Sequence, residues 1–292
     1  MENVKERFNG FDGLRALCAL GIAMMHYQAF IVVKPSENFF TDRCIPFFTE
    51  FVFMFFMISA FGLCCGYYKK MRASENGQCA FNVNHFYSRR IKKIWPYFAL
   101  LVFIDVLVFI LQNGFAPTHE LKGELAEAFA NITMCFNLLP NSEFNVMGGG
   151  WFVGTIFLFY IFFPFFCFLL HSKKRAWFAL AVALIMHILV VNYFLTEDFV
   201  TVKIIKCARH NILYSFPFLL VGGVIFLYKD KIEKWISGLP ARWILLAVTG
   251  IMTLIQVTFK PLVLGENRLF LLILFAFWLF YGMSDGIKIG GG

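Results

Sequence analysis

At 292 residues, 60% hydrophobic and 15% charged with 40 Phe, the chain falls well below the roughly 25% of charged residues usual in a soluble domain. Its formal net charge of +8 sits between long apolar runs, which points to membrane orientation and lipid contact rather than to nucleic acid. The 8 Cys form no Cys-x-x-Cys pair and have no His partner at ligand spacing, so no metal site is expected, and Cys18, Cys64, Cys65, Cys135 and Cys167 read as small hydrophobes.

Apolar runs predict eight membrane helices, near 11–33, 46–68, 94–112, 148–170, 176–195, 211–228, 242–259 and 268–284, each close to the length a span needs. The fold class expected is therefore all-α, a polytopic integral membrane helical bundle. No repeat, low-complexity tract or linker interrupts it, so 1–292 reads as a single membrane domain. The first run is long enough to span and lacks a small-residue cleavage site, so no cleavable signal peptide is expected.

The first segment carries Asp12, Arg15 and His26. Eleven steps of about 100° bring Arg15 and His26 within about 20° of one helical face, and a rise of about 1.5 Å per residue sets them about 16 Å apart along it. Asp12 falls near the same stripe. Such groups in a membrane helix are costly unless they line a polar path. Arg15 presents a bidentate fork that never deprotonates; it suits an anionic ligand, a pairing with Asp12, or snorkelling to the interface. Asp12 reads as its orienting partner.

After the second segment come Lys69, Lys70, Arg72, Arg89, Arg90, Lys92 and Lys93, explained either by orientation and anionic lipid or by a phosphate ligand. Asp105 lies deep in the third segment, where a carboxylate must pair with a cation or stay protonated. The following connection is acidic, with Glu120, Glu124, Glu127 and Glu143. Trp151, after Gly148, Gly149 and Gly150, opens the fourth segment as an interfacial anchor or a sugar-stacking platform. Lys173, Lys174 and Arg175, then Lys229, Lys231 and Lys234, fall on the side of Lys5 and Arg7, which makes both termini cytoplasmic. Lys203, Lys206, Arg209 and His210 break that pattern on the outer side, as interfacial anchors or as contacts to a polar substrate.

Five stretches resemble one family. FDGLRALCALGIAMMH, with Arg15 and His26 at the spacing of its first-helix signature, is similar to the acyltransferase 3 family of integral-membrane sugar O-acyltransferases. The stretches FVFMFFMISAFGL, FYSRRIKKIWPYF, WFVGTIFLFYIFFP and FPFLLVGGVIFLY match it in kind and order. Ala60 stands where many members have Gly. Members carry further helices beyond the eighth, so the last helices of the family would be lacking here.

The resemblance implies an enzyme that moves an acyl group, acetyl first among the options, from cytoplasmic acyl-CoA to a hydroxyl of a cell-surface carbohydrate. His26 would be general base for that hydroxyl or a transient acyl carrier. Arg15 would hold a phosphate or the thioester end, and Arg89, Arg90 and Lys93 the phosphates of acyl-CoA. From their own positions rather than from the resemblance, Asp105, Trp151 and Arg209 are candidates for the substrate side. A transporter or flippase of a polar lipid-linked sugar, and a non-catalytic partner in polysaccharide export, are the alternative readings, distinguished by whether acyl-CoA is consumed.

Overall fold

The computed structural model describes residues 8–32, 36–75, 81–116, 118–134, 136–138, 149–194, 211–260 and 267–284. Every regular element among them is helical, the arrangement that lets a lipid-embedded backbone satisfy its own hydrogen bonds. In chain order they are α1 (Asn9–Phe30), α2 (Phe40–Ala73), α3 (Val83–Asn113), α4 (His119–Ile132), α5 (Gly150–Leu169), α6 (Lys173–Leu189), α7 (Ile212–Leu227), α8 (Lys229–Ile236), α9 (Leu239–Phe259) and α10 (Asn267–Ser284).

Each expected apolar segment centres on a helix, but the count of eight spans is not confirmed. Among the described residues, five helices are long and apolar enough to cross a bilayer: α2, α3, α5, Lys173–Asn192 and Pro240–Phe259. A sixth is reached if α7 and α8, bent by 70° at Tyr228, form one span. The helix α1 carries Asp12, Arg15 and His26, and the apolar part of α10, Arg268–Ser284, is short. The 14-residue helix α4 stands where the sequence suggested only an acidic connection.

Local signals explain the helix ends. The Asn82 side chain accepts a 2.8 Å hydrogen bond from the His85 N–H, and Thr118 accepts one of 3.2 Å from the Leu121 N–H, capping α3 and α4. Gly114, with φ 79°, ends α3 in a conformation that only glycine adopts freely. The helix α2 is continuous but irregular, with wide π turns at Phe40–Cys44 and Cys64–Tyr68 and a tight 3₁₀ turn at Phe48–Glu50.

Two compact units emerge from the contacts between helices. The first comprises residues 1–69, 172–180 and 217–292. In it α1 meets α10 backbone to backbone: a Cβ on Gly10 would come within 2.1 Å of the Gly282 carbonyl oxygen. Likewise a Cβ on Gly222 of α7 would come within 2.3 Å of the Met57 carbonyl oxygen in α2. Rings fill the remaining space, Phe53 stacking on Phe218 at 4.5 Å and Phe226 packing edge-on to both Phe61 and Tyr68.

The second unit comprises residues 70–171 and 181–216. Here α3 lies against α5 through the Phe86–Phe163 stack at 5.5 Å and a 2.8 Å hydrogen bond from the Tyr87 hydroxyl to the Ile161 carbonyl. The buried Asn137 amide donates to the Thr155 hydroxyl at 2.7 Å and to the Trp151 carbonyl, which ties the turn Phe136–Leu138 to the start of α5.

The Gly10 contact makes a sharp comparison possible. Gly10→Ala should destabilise the protein by about 1–3 kcal/mol through overpacking, read as a lower thermal midpoint in detergent. Gly13→Ala, where a Cβ has nothing within 4 Å, should leave stability unchanged or raise it by up to about 1 kcal/mol through helix propensity.

Candidate functional site

The first cluster rests on α1, which runs unbroken from Asn9 to Phe30. Asp12 lies in its first turn, where a carboxylate complements the positive end of the helix dipole. One turn on, the Arg15 Nη1 donates to Asp12 Oδ1 at 2.7 Å. The guanidinium lies over α2, its Nη2 3.5 Å from where a Cβ on Gly62 would stand. Both members of the pair stay about two-fifths exposed, so Arg15 is anchored and still reachable.

The side chain of His26 is half-buried, and its ring lies parallel to that of Phe30 with centroids 6.2 Å apart. The helical spacing places it on the face of Arg15 and about 16 Å further along. The buried stripe of the helix, Phe11, Leu14, Cys18 and Gly21, is a different one, so packing occupies one side of α1 and the Arg15–His26 face stays accessible. About two turns beyond Gly21, Gln28 donates a 3.0 Å hydrogen bond to the Thr41 carbonyl and pins the C-terminal end of α1 to the start of α2.

The remaining described candidates belong to the second unit. The basic run at the start of α3 splits between two faces. Arg89, Lys92 and Lys93 are exposed, with Arg89 and Lys93 one helical turn apart. Arg90 is turned inward, its guanidinium 5.1 Å from the Tyr160 ring and 5.5 Å from the Phe86 ring, a cation–π clasp between α3 and α5. The four cations are therefore not one cluster: three face outward and Arg90 is engaged with the bundle.

Asp105 meets an acid rather than a cation, the Glu124 carboxyl of α4. Desolvation first, then the hydrogen bond with Asp105 and the nearby negative charge, hold Glu124 above the ordinary carboxyl value of 4.5. Two carboxyls can share a hydrogen bond only if a proton lies between them, which is why the neighbour raises Glu124. Trp151 is 5% exposed, with its backbone carbonyl accepting from Asn137 and from the Thr155 hydroxyl. It stands as a packed residue at the start of α5, not displayed at a surface. Arg209, with Lys203, Lys206 and His210, lies outside the described residues.

Two polar contacts were missed by sequence reasoning. In the first unit, Arg268 Nη1 of α10 lies 3.1 Å from Glu50 Oε1 of α2, with the side chains 18% and 12% exposed, and its guanidinium stands over the Phe53 ring. The signal was present, since each is a charge at the edge of a long apolar run. In the second unit, His187 is 1% exposed and its Nδ1 lies 2.8 Å from the Tyr214 carbonyl oxygen. Nothing in its local sequence distinguishes it from a filler of α6. Among the described residues, no group of three or more His, Cys, Asp or Glu is placed to hold a metal ion.

Comparison with known proteins adds to this geometry. A family described as an acyltransferase domain matches residues 8–289. A protein of Haemophilus influenzae described as uncharacterized is 30% identical over 194 residues, covering 62% of this chain and 76% of its own length. No solved structure matches.

Because Glu124 binds its proton more tightly folded than unfolded, stability should fall as pH rises from 4.5 through its raised value, and level off above it. Glu124→Gln should flatten that part of a chemical-denaturation profile against pH. Removing one partner of the enclosed Glu50–Arg268 pair, as in Arg268→Met, should cost about 3 kcal/mol. The double variant Glu50→Met with Arg268→Met should recover most of the loss in the same measurement.

Proposed function

The chain belongs to the acyltransferase 3 family and is a membrane acyltransferase, and from that premise we propose that it transfers an acetyl group from cytoplasmic acyl-CoA to a hydroxyl of a cell-surface carbohydrate. The observation that carries this reading is the accessible face of α1, with Arg15 fixed by Asp12 near one end and the half-buried imidazole of His26 toward the other. An anionic, thioester-bearing donor and a neutral hydroxyl acceptor need different chemistry at separate depths, and this face offers both.

In the proposed division of labour, the Arg15 fork grips an oxygen of the donor, while its bond to Asp12 keeps the guanidinium from swinging to the interface. Within the second unit, the outward Arg89 and Lys93 of α3, with Lys92 beside them, suit phosphates such as those of acyl-CoA. Arg90 supports that helix from within. His26 takes the proton of the acceptor hydroxyl as its oxygen attacks the thioester carbonyl, and the proton passes to the departing thiolate. Basic connections facing the cytoplasm put the N-terminus there and the His26 end of α1 toward the outer side.

Membranes supplied with labelled acetyl-CoA and analysed for label in surface polysaccharide test the reading. His26→Ala should lower transfer by at least about 100-fold, the lower range of general-base contributions, with the protein still in the membrane; full retained transfer would overturn the role. Arg15→Lys keeps the charge but loses the fork, and should weaken donor binding, raising KM for acetyl-CoA more than it lowers kcat.

A further inference from the structure

Phe30 follows His26 by four residues, which on a helix is about 40° around and about 6 Å further along. The phenyl therefore shares the accessible face of α1 with the imidazole. The two ring planes lie within 8° of parallel, with centroids 6.2 Å apart. Phe30 is nevertheless 77% exposed, and Tyr27 beside it 70%. Neither stands on a fraying end. The Ile31 N–H donates to the Tyr27 carbonyl at 3.0 Å and closes the last turn of α1, and Gln28 ties the same turn to the Thr41 carbonyl. The buried stripe of Phe11, Leu14, Cys18 and Gly21 lies on another side, so packing within the first unit does not account for the phenyl.

A ring at a membrane surface is ordinarily Trp or Tyr, whose polar edge suits the interface; Phe30 has no such edge. A flat apolar face held beside a proton acceptor suits a sugar ring. A pyranose with equatorial hydroxyls shows C–H groups on its faces and hydroxyls around its rim. Those hydrogens carry slight positive charge and meet the negative face of a phenyl. Equatorial hydroxyls radiate near the mean plane of the sugar, and the imidazole lone pair lies in the plane of its own ring. Because the two protein rings are parallel, a sugar laid flat on Phe30 holds its rim hydroxyls in the orientation in which His26 accepts a proton. We propose that Phe30 is the stacking platform for the acceptor, a pyranose unit of the carbohydrate, with Tyr27 at its flank; this rests on the transfer proposed for His26. An acyclic polyol has no such face, so the platform selects ring sugars over glycerol or ribitol chains.

The test separates binding from transfer. The full chain, purified in detergent, is mixed without acetyl-CoA with labelled fragments of the native cell's surface polysaccharide, stripped of O-acyl groups by mild alkali, and the retained label is measured. Phe30→Ala should weaken retention about tenfold, the factor a single ring contact carries, and Phe30→Tyr should keep it. Phe178→Ala, which removes another phenyl that is 71% exposed, should leave it unchanged. In membranes supplied with acetyl-CoA, Phe30→Ala should raise the KM for the fragments by the same factor, with the KM for acetyl-CoA and the pH profile unchanged. Retention that needs Phe30 in a chain that transfers nothing keeps the platform and removes the transfer reading. Transfer with an acceptor KM indifferent to Phe30→Ala removes the platform and keeps the transfer reading. A lower kcat at unchanged acceptor KM would make Phe30 a support for the imidazole, and an equal loss in Phe178→Ala would make the contact general to exposed rings; either overturns the proposal. Competition by ribitol as strong as that by methyl β-glucopyranoside overturns it too.

Discussion

A polar group carried into a bilayer finds no water, and that single deprivation organises the interior of this protein. Hydroxyls turn back onto their own helices, as Thr155 does to the Trp151 carbonyl and Thr249 to the Leu245 carbonyl. The Asn137 amide spends its donors on α5, Gln28 on the Thr41 carbonyl, and Trp278 on the Thr253 hydroxyl. Charges follow the same rule, with Arg268 against Glu50 and Arg15 against Asp12. The two ion pairs differ in exposure: the first is nearly enclosed and serves the packing of α2 with α10, the second is open enough to meet a ligand. Satisfaction of polar atoms thus separates what holds the bundle from what is left over for chemistry.

Close packing completes the separation. Where glycines let α1 meet α10 and α7 meet α2 at backbone distance, the helices gain dispersion contacts without needing hydrophobic drive, which lipid does not provide between apolar surfaces. The stripe of α1 consumed by this packing is not the stripe of Arg15 and His26. A helix that packs along one stripe and carries polar groups along another divides its circumference, and the pattern of small and apolar residues against polar ones in FDGLRALCALGIAMMH records that division.

The helical class, the position of each apolar segment and the family were legible in the sequence, because a membrane span announces itself by length and hydropathy, and the first-helix signature by spacing. The number of spans was not, since a helix such as α1 mixes charges with small residues and α7 turns into α8 through a 70° bend at Tyr228. The helix α4 was hidden by its charge, which reads as a loop until its Thr118 cap and its packing on α3 are seen. Within the site, spacing alone placed Arg15 beside Asp12. It did not separate Arg90 from Arg89 and Lys93, because which face of α3 meets the rings of Phe86 and Tyr160 depends on partners far along the chain. Partner identity was equally out of reach for Glu50 and Arg268, which lie more than two hundred positions apart.

The contact of Gly10 with Gly282 carries a practical corollary for engineering. Two points so distant in the chain but touching in space put the first turn of α1 and the last of α10 at a common level of the first unit. Cysteines set beside that seam could therefore be bridged by a short cross-linker, and the moment at which they become linkable would report whether the two helices must meet early in membrane insertion or can be zipped last.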